Sequence, residues 1–116
     1  MTETVLGRLD DVPDGGSAAL TMDRDGRSYS VIAVRKDGHL YAYLNICPHR
    51  GLPLDFRPGQ FLDLERKYIL CSNHAALFRI EDGACVEGPC GSGGLLAVPV
   101  QIKDGLIVAG EWRRPA

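Results

Sequence analysis

Four of the five Asp-Gly dipeptides, Asp25-Gly26, Asp37-Gly38, Asp82-Gly83 and Asp104-Gly105, each stand between apolar or β-branched runs. A two-residue type I′ turn needs positive φ at both central positions, which glycine takes freely and aspartate tolerates. Each pair therefore reads as the tip of a β-hairpin, and four hairpins imply an antiparallel, all-β domain. The runs between the turns agree. Leu40, Ala42, Leu44 and Ile46 alternate with Tyr41, Tyr43 and Asn45 at the period of a half-buried strand, and Leu96, Val98, Val100 and Ile102 repeat the pattern. Residues 28–34 and 106–109 read as further strands, with residues 5–9 and 18–22 more weakly patterned. No window carries a 3.6-residue apolar period, and 14 glycines with 7 prolines leave little room for long helices. Without helices to cover an open sheet, the expected architecture is a small antiparallel β-sandwich or barrel.

At 116 residues and 45% hydrophobic content, the chain suits one domain spanning residues 1–116, with a modest core and no linker or internal repeat. Its 13 basic and 15 acidic residues nearly balance, so charge gives no reason to invoke nucleic acid or a membrane surface as partner. The first residues lack the basic flank and apolar run of a signal peptide, and no apolar stretch reaches bilayer length. A soluble, cytoplasmic protein is expected. In that reducing compartment its 4 cysteines are expected to be metal ligands or free thiols rather than a disulfide framework.

The chemistry concentrates in two stretches, Cys47-Pro48-His49-Arg50-Gly51 and Cys71-Ser72-Asn73-His74. Each offers one thiolate and one imidazole in a tight loop after a strand end: Ile46 closes one strand before Cys47, and Tyr68-Ile69-Leu70 leads into Cys71. Both loops can then emerge at one end of the domain and meet. Together they could bind one zinc ion tetrahedrally, since Zn²⁺ accepts both donor types. That accounts for the residues but not for their order, because each loop mixes thiol and imidazole. Two irons bridged by sulfides give a reason for mixing, with Cys47 and Cys71 on one iron and His49 and His74 on the other.

The paired pattern Cys-x-His-x-Gly and Cys-x-x-His resembles the Rieske [2Fe–2S] family. The stretch Leu77-Phe78-Arg79-Ile80-Glu81-Asp82-Gly83-Ala84-Cys85-Val86 is similar to the segment after the second loop in Rieske ferredoxins, and Gly88-Pro89 to the start of the family's proline-bearing third loop. The likeness spans residues 20–109. It implies cluster-binding loops at about residues 47–52 and 71–78 at one end of the β-domain, with Cys47, His49, Cys71 and His74 as ligands of one [2Fe–2S] cluster. Departures are Ala75, where the family usually has glycine, and a longer connection, residues 52–67, between the loops. Ala75 carries a Cβ, so its backbone should avoid positive φ. The connection reads either as a flap over the metal or as an ordinary loop or short hairpin pinned by Leu54, Phe56, Phe61, Leu62 and Leu64, the second reading being favoured.

High-potential family members carry a loop disulfide and hydroxyl donors to the cluster. At the matching places this chain has Leu52 and Asn73, and Ala76 and Phe78. Fewer hydrogen bonds to sulfur stabilise the reduced cluster less, so the resemblance implies a potential near the low end of the Rieske range, about −150 mV. His49 and His74 would present their outer ring edges as the electron exit and as titratable groups.

The remaining side chains have plainer readings. Cys85 is expected to be a small buried hydrophobe, Cys90 a passive loop residue, His39 an exposed strand residue and Trp112 a cap on the core edge. Arg50 is either a docking contact or a solvated charge. No flavin or dinucleotide fingerprint and no mononuclear iron triad is present, so the chain is expected to be no enzyme by itself. The resemblance implies a one-electron carrier between a reductase and a terminal oxygenase or similar oxidoreductase. A permanent accessory electron-transfer subunit and a structural zinc module are the alternatives.

Overall fold

A computed structural model describes residues 4–24, 26–46, 54, 61–63, 65–71, 76–88 and 94–110. Nine strands run in chain order: β1 (Thr4–Arg8), β2 (Ser17–Arg24), β3 (Arg27–Lys36), β4 (His39–Leu44), β5 (Tyr68–Leu70), β6 (Leu77–Arg79), β7 (Cys85–Glu87), β8 (Val100–Lys103) and β9 (Leu106–Ala109). A single 3₁₀ turn, Leu9–Asp11, is the one helical element among the described residues. The strands form three antiparallel sheets of three, ordered β1-β9-β8, β2-β3-β4 and β5-β6-β7. The all-β expectation is met.

Three of the Asp-Gly sites behave as turn chemistry dictates. Asp37 and Gly38 take φ of 53° and 79° beneath the Lys36–His39 pair, and Asp104 and Gly105 take 52° and 76° beneath Lys103–Leu106. Gly26 does likewise at 76° beneath Arg24–Arg27, while Asp25 lies outside the described residues. The fourth site differs. Only Gly83 of its pair takes positive φ, 72°, and the turn widens so that Ala84 accepts from the Arg79 amide at 2.9 Å. Its cause is packing. A Cβ on Gly83 would lie 2.8 Å from the Tyr43 ring, and Gly94 passes so close that a Cβ there would stand 2.2 Å from the Gly83 carbonyl.

The β2-β3-β4 sheet is the middle layer. Ile32, Val34 and Tyr43 pack with Leu54, Phe61, Ile69, Phe78 and Ile80 toward the β5-β6-β7 sheet. From the opposite face Val31, Ala33, Ala42 and Leu44 pack with Leu6, Val12, Val98 and Ile107 toward β1-β9-β8. Strands β3 and β4 are thus buried on both faces, which corrects the reading of β4 as half-buried: Tyr43 and Asn45 are as enclosed as Ala42 and Leu44. Ile46 lies past the strand end and is exposed.

The expected strand from Leu96 to Ile102 is two segments. Leu44 donates to the Leu96 carbonyl at 2.8 Å and Val98 to the Ala42 carbonyl at 2.9 Å, so residues 96–98 line the outer edge of β4. Pro99 has no N–H to continue that ladder. The chain there crosses to β9, where Gly110 donates to the Pro99 carbonyl. Because the segment serves two sheets, one alternation cannot hold: Leu95 and Val98 are buried, whereas Leu96 and Ile102 face outward.

Polar contacts of two buried side chains help to join the layers. Arg24, buried, reaches the Thr4 hydroxyl at 3.0 Å and the Gly110 carbonyl at 3.1 Å, tying β2 to one end of the β1-β9 pair. Tyr43 donates its hydroxyl to the Ile80 carbonyl at 2.5 Å, joining the middle sheet to the turn after β6. Burial, with Asp82 next in effect, pushes the Tyr43 phenol up to about 12. The fold thus favours the neutral phenol, so the stabilisation is complete below pH 10 and is lost as pH rises toward about 12. Alkaline thermal melts should show that loss, and Tyr43→Phe should flatten it while costing about 1 kcal/mol at neutral pH.

Candidate metal centre

Of the predicted ligands, Cys71 lies within the described residues and is fully buried. It follows β5 directly, and its backbone N–H donates to the Ala76 carbonyl at 2.9 Å. That bond extends the β5-β6 ladder one step beyond the Leu70–Leu77 pair and joins Cys71 directly to Ala76. Cys47, His49 and His74 lie outside the described residues, as do Arg50, Leu52, Asn73, Ala75, Cys90 and Trp112. Among the described residues no group of three or more His, Cys, Asp or Glu side chains could hold a metal ion.

The residues that flank both motifs share one core. Leu54, Cys71 and Ala76 belong to the apolar cluster between the middle sheet and β5-β6-β7. Leu54 lies beyond the first motif, and Cys71 and Ala76 bracket the second. The core therefore gathers the bases of both segments at one end of β4 and β5.

The neck of the first segment is built differently. Strand β4 stops at Leu44, and Leu54 belongs to no strand. Asn45 supplies the connection: its Oδ1 accepts the Leu54 amide at 2.8 Å, its Nδ2 donates to Ser30 Oγ at 3.2 Å, and its own amide donates to the Ser30 carbonyl at 2.9 Å. Sequence reasoning missed this residue, because alternation put Asn45 on an outward face. The available signal was a polar side chain with a short reach at a strand end, two residues before a candidate ligand.

The connection beyond Leu54 is pinned at its described points, in keeping with the loop or short-hairpin reading. Phe61 is fully buried, its carbonyl accepting from Leu70 at 2.7 Å and its amide donating to Ser17 Oγ at 3.2 Å. Leu62 bridges Ile69, while Asp63 Oδ1 accepts from Lys67 and Tyr68, making a short hairpin in which Arg66 takes φ 58°. Phe56 and Leu64 lie outside the described residues.

Three further residues lie near the second segment. Ala76 and Phe78 are fully buried and offer no hydroxyl. Cys85 on β7 is half-buried against the same core and disulfide-bonded, which corrects its reading as a simple hydrophobe and the expectation of thiols without disulfides. Strand β7 here bulges opposite Leu77 and Phe78, and composition alone does not show which side chains such a bulge brings into range. At the far end of the middle sheet, His39 is an exposed strand residue, as expected.

The model of the Rieske [2Fe-2S] domain family matches residues 2–101. No curated protein sequence matches significantly. Among solved structures, the chain is similar to the ferredoxin of carbazole 1,9a-dioxygenase from Nocardioides aromaticivorans IC177: 28% identity, TM-score 0.73, covering 94% of this chain and 97% of that one. It is also similar to a Sphingomonas yanoikuyae B1 ferredoxin, with 24% identity, TM-score 0.74 and coverage of 95% and 99%. A putative nitrite reductase NADPH small subunit shares the fold at 19% identity and TM-score 0.67, covering 96% of this chain and all, 100%, of that one.

Close backbone packing at this end gives a direct test. Gly88 takes φ 91°, and a Cβ there would lie 2.7 Å from Ala76 Cα, against the backbone that returns from the second segment. Gly88→Ala should therefore cost about 2 kcal/mol or more, from overpacking added to strain. Gly38→Ala has the same backbone strain, with φ 79°, but open space around it, and should cost only about 1 kcal/mol in the same denaturant titration.

Proposed function

The chain belongs to the Rieske [2Fe–2S] domain family, and from that premise we propose that it is a one-electron carrier, passing electrons from a reductase to a terminal oxygenase or a similar oxidoreductase. The observation that carries this reading is the family match over residues 2–101, a span that includes both Cys/His motifs. Likeness over nearly the whole length to the ferredoxin of a dioxygenase supports the choice of partners. The cofactor is one [2Fe–2S] cluster per chain.

The donor set fits that group. Two thiols and two imidazoles match the ligand count of a cluster in which histidines replace cysteines on one iron. Cys71, fully buried, offers its sulfur from a site shielded from water. We assign Cys47, His49, Cys71 and His74 as the ligands. When bound, the cluster supplies a one-electron couple.

The protein's own residues do the rest. Neutral imidazoles from His49 and His74 leave less negative charge at their metal than thiolates would, which raises the potential above that of an all-cysteine site. Their outer nitrogens would serve as the electron exit and could exchange a proton with solvent. Ala76 and Phe78 give no hydroxyl hydrogen bond to sulfur, which keeps the potential toward the low end, about −150 mV. We read the chain as completing no catalytic cycle alone. We place it in the cytoplasm on its balanced charge; among the described residues no helix is long and apolar enough to cross a membrane.

Dithionite-reduced, anaerobically purified protein should give a rhombic electron paramagnetic resonance signal of low average g, with about two irons and two sulfides per chain. One zinc per chain and no sulfide would overturn the carrier reading. Purification from its native source should yield the chain free of a large subunit; stable co-purification would favour the accessory-subunit role. His49→Cys and His74→Cys should each lower the potential in voltammetry or lose the cluster. Full occupancy at an unchanged potential would exclude that histidine as a ligand.

A further inference from the structure

The two segments that carry the assigned ligands are closed at their necks by different means. In the second, the bond from Cys71 N–H to the Ala76 carbonyl is one more rung of a β-ladder and depends on no side chain. In the first, the ladder has already ended at Leu44, and the flanks at Asn45 and Leu54 meet through a side chain. Asn45 is 6% exposed and Leu54 is fully buried, so neither the amide of Leu54 nor the carboxamide has bulk water as an easy substitute partner. A backbone N–H only donates, so the atom facing Leu54 is the carboxamide oxygen. The nitrogen then faces Ser30 Oγ, which accepts. The orientation of the side chain is thereby determined, and Ser30, an exposed residue of β3, anchors it to the middle sheet.

We propose that Asn45 is a positioning residue for the metal centre: by clamping Leu54 to β3 it closes the neck of residues 46–53 and holds Cys47 and His49 in register with Cys71 and His74. This rests on the ligand assignment made above. The clamp acts through geometry. Its loss would free one pair of donors while leaving the backbone-closed pair in place, so the effect should fall on the cluster more than on the fold.

The test uses the holoprotein. Asn45→Ala should speed hydrogen exchange of the Leu54 amide about tenfold, the equivalent of one lost buried hydrogen bond, with the β3 amides unchanged. It should also speed bleaching by an iron chelator several-fold and broaden the reduced electron paramagnetic resonance signal. Asn45→Asp retains an acceptor for Leu54, so it should restore slow exchange and most of the cluster retention. Ser30→Ala removes only the anchor on Nδ2 and should give intermediate values, and this pair carries the test should Asn45→Ala fail to fold.

Unchanged Leu54 exchange in Asn45→Ala, or in Ser30→Ala if that variant must stand in, would overturn the clamp. Faster exchange with an unaltered cluster spectrum and bleaching rate would also overturn the proposal, because Asn45 would then brace the connection alone. Failure of the ligand assignment is distinguishable: it shows in the unsubstituted protein as zinc or missing sulfide, before any variant is compared.

Discussion

Everything in this molecule leans on strands β3 and β4, which are apolar on both faces. Val31 and Ala33 face one core and Ile32 and Val34 the other, so the middle sheet must be covered twice. Strands β1, β8 and β9 cover one side, and the short strands β5 to β7 cover the other. The second layer would be marginal by itself, with three-residue strands and little area to bury. It persists because Phe61, Ile69, Phe78 and Ile80 have a ready apolar surface to pack against, supplemented by the Tyr43 hydroxyl on the Ile80 carbonyl. The exposed Lys36–Glu81 ion pair, 2.6 Å long, spans the same two layers and adds less than about 1 kcal/mol.

This arrangement places the candidate metal centre where rigidity is available. Electron transfer asks for little motion, and a site whose geometry hardly changes between redox states is best built on packed elements rather than on free loops. Cys71 meets that demand from the end of β5, inside the core. Gly88 and Gly94 permit backbone to lie on backbone, against Ala76 and Gly83, at approaches no side chain would allow. The first motif has no such ladder beneath it. There the buried Asn45 carboxamide joins Leu54 to Ser30.

Much of the β architecture was legible in local chemistry. The turn requirement for positive φ marked four hairpins, and apolar runs between them marked β4 and β9 nearly to their ends, because both effects act between neighbours in sequence. The candidate donors were legible for a similar reason: metal coordination imposes a short spacing within each motif, which a chain can display without being folded. The fourth Asp-Gly pair also tips a hairpin, between β6 and β7, but not as a two-residue turn, because Gly83 packs against Tyr43 and Leu95, residues distant in sequence. Leu96 and Ile102 misled because their segment changes sheets at Pro99.

Sequence alone determined the antiparallel class, the candidate donors and the family their motifs indicate, all properties carried by residues within a few positions of one another. Only the tertiary structure decided that β4 is covered on both faces, that Gly88 must seat on Ala76, and that Asn45 reaches Leu54 rather than solvent. Each of these is a meeting between segments separated along the chain, and a side chain's partner across such a distance is set by how the layers stack, a cooperative outcome that no local window contains.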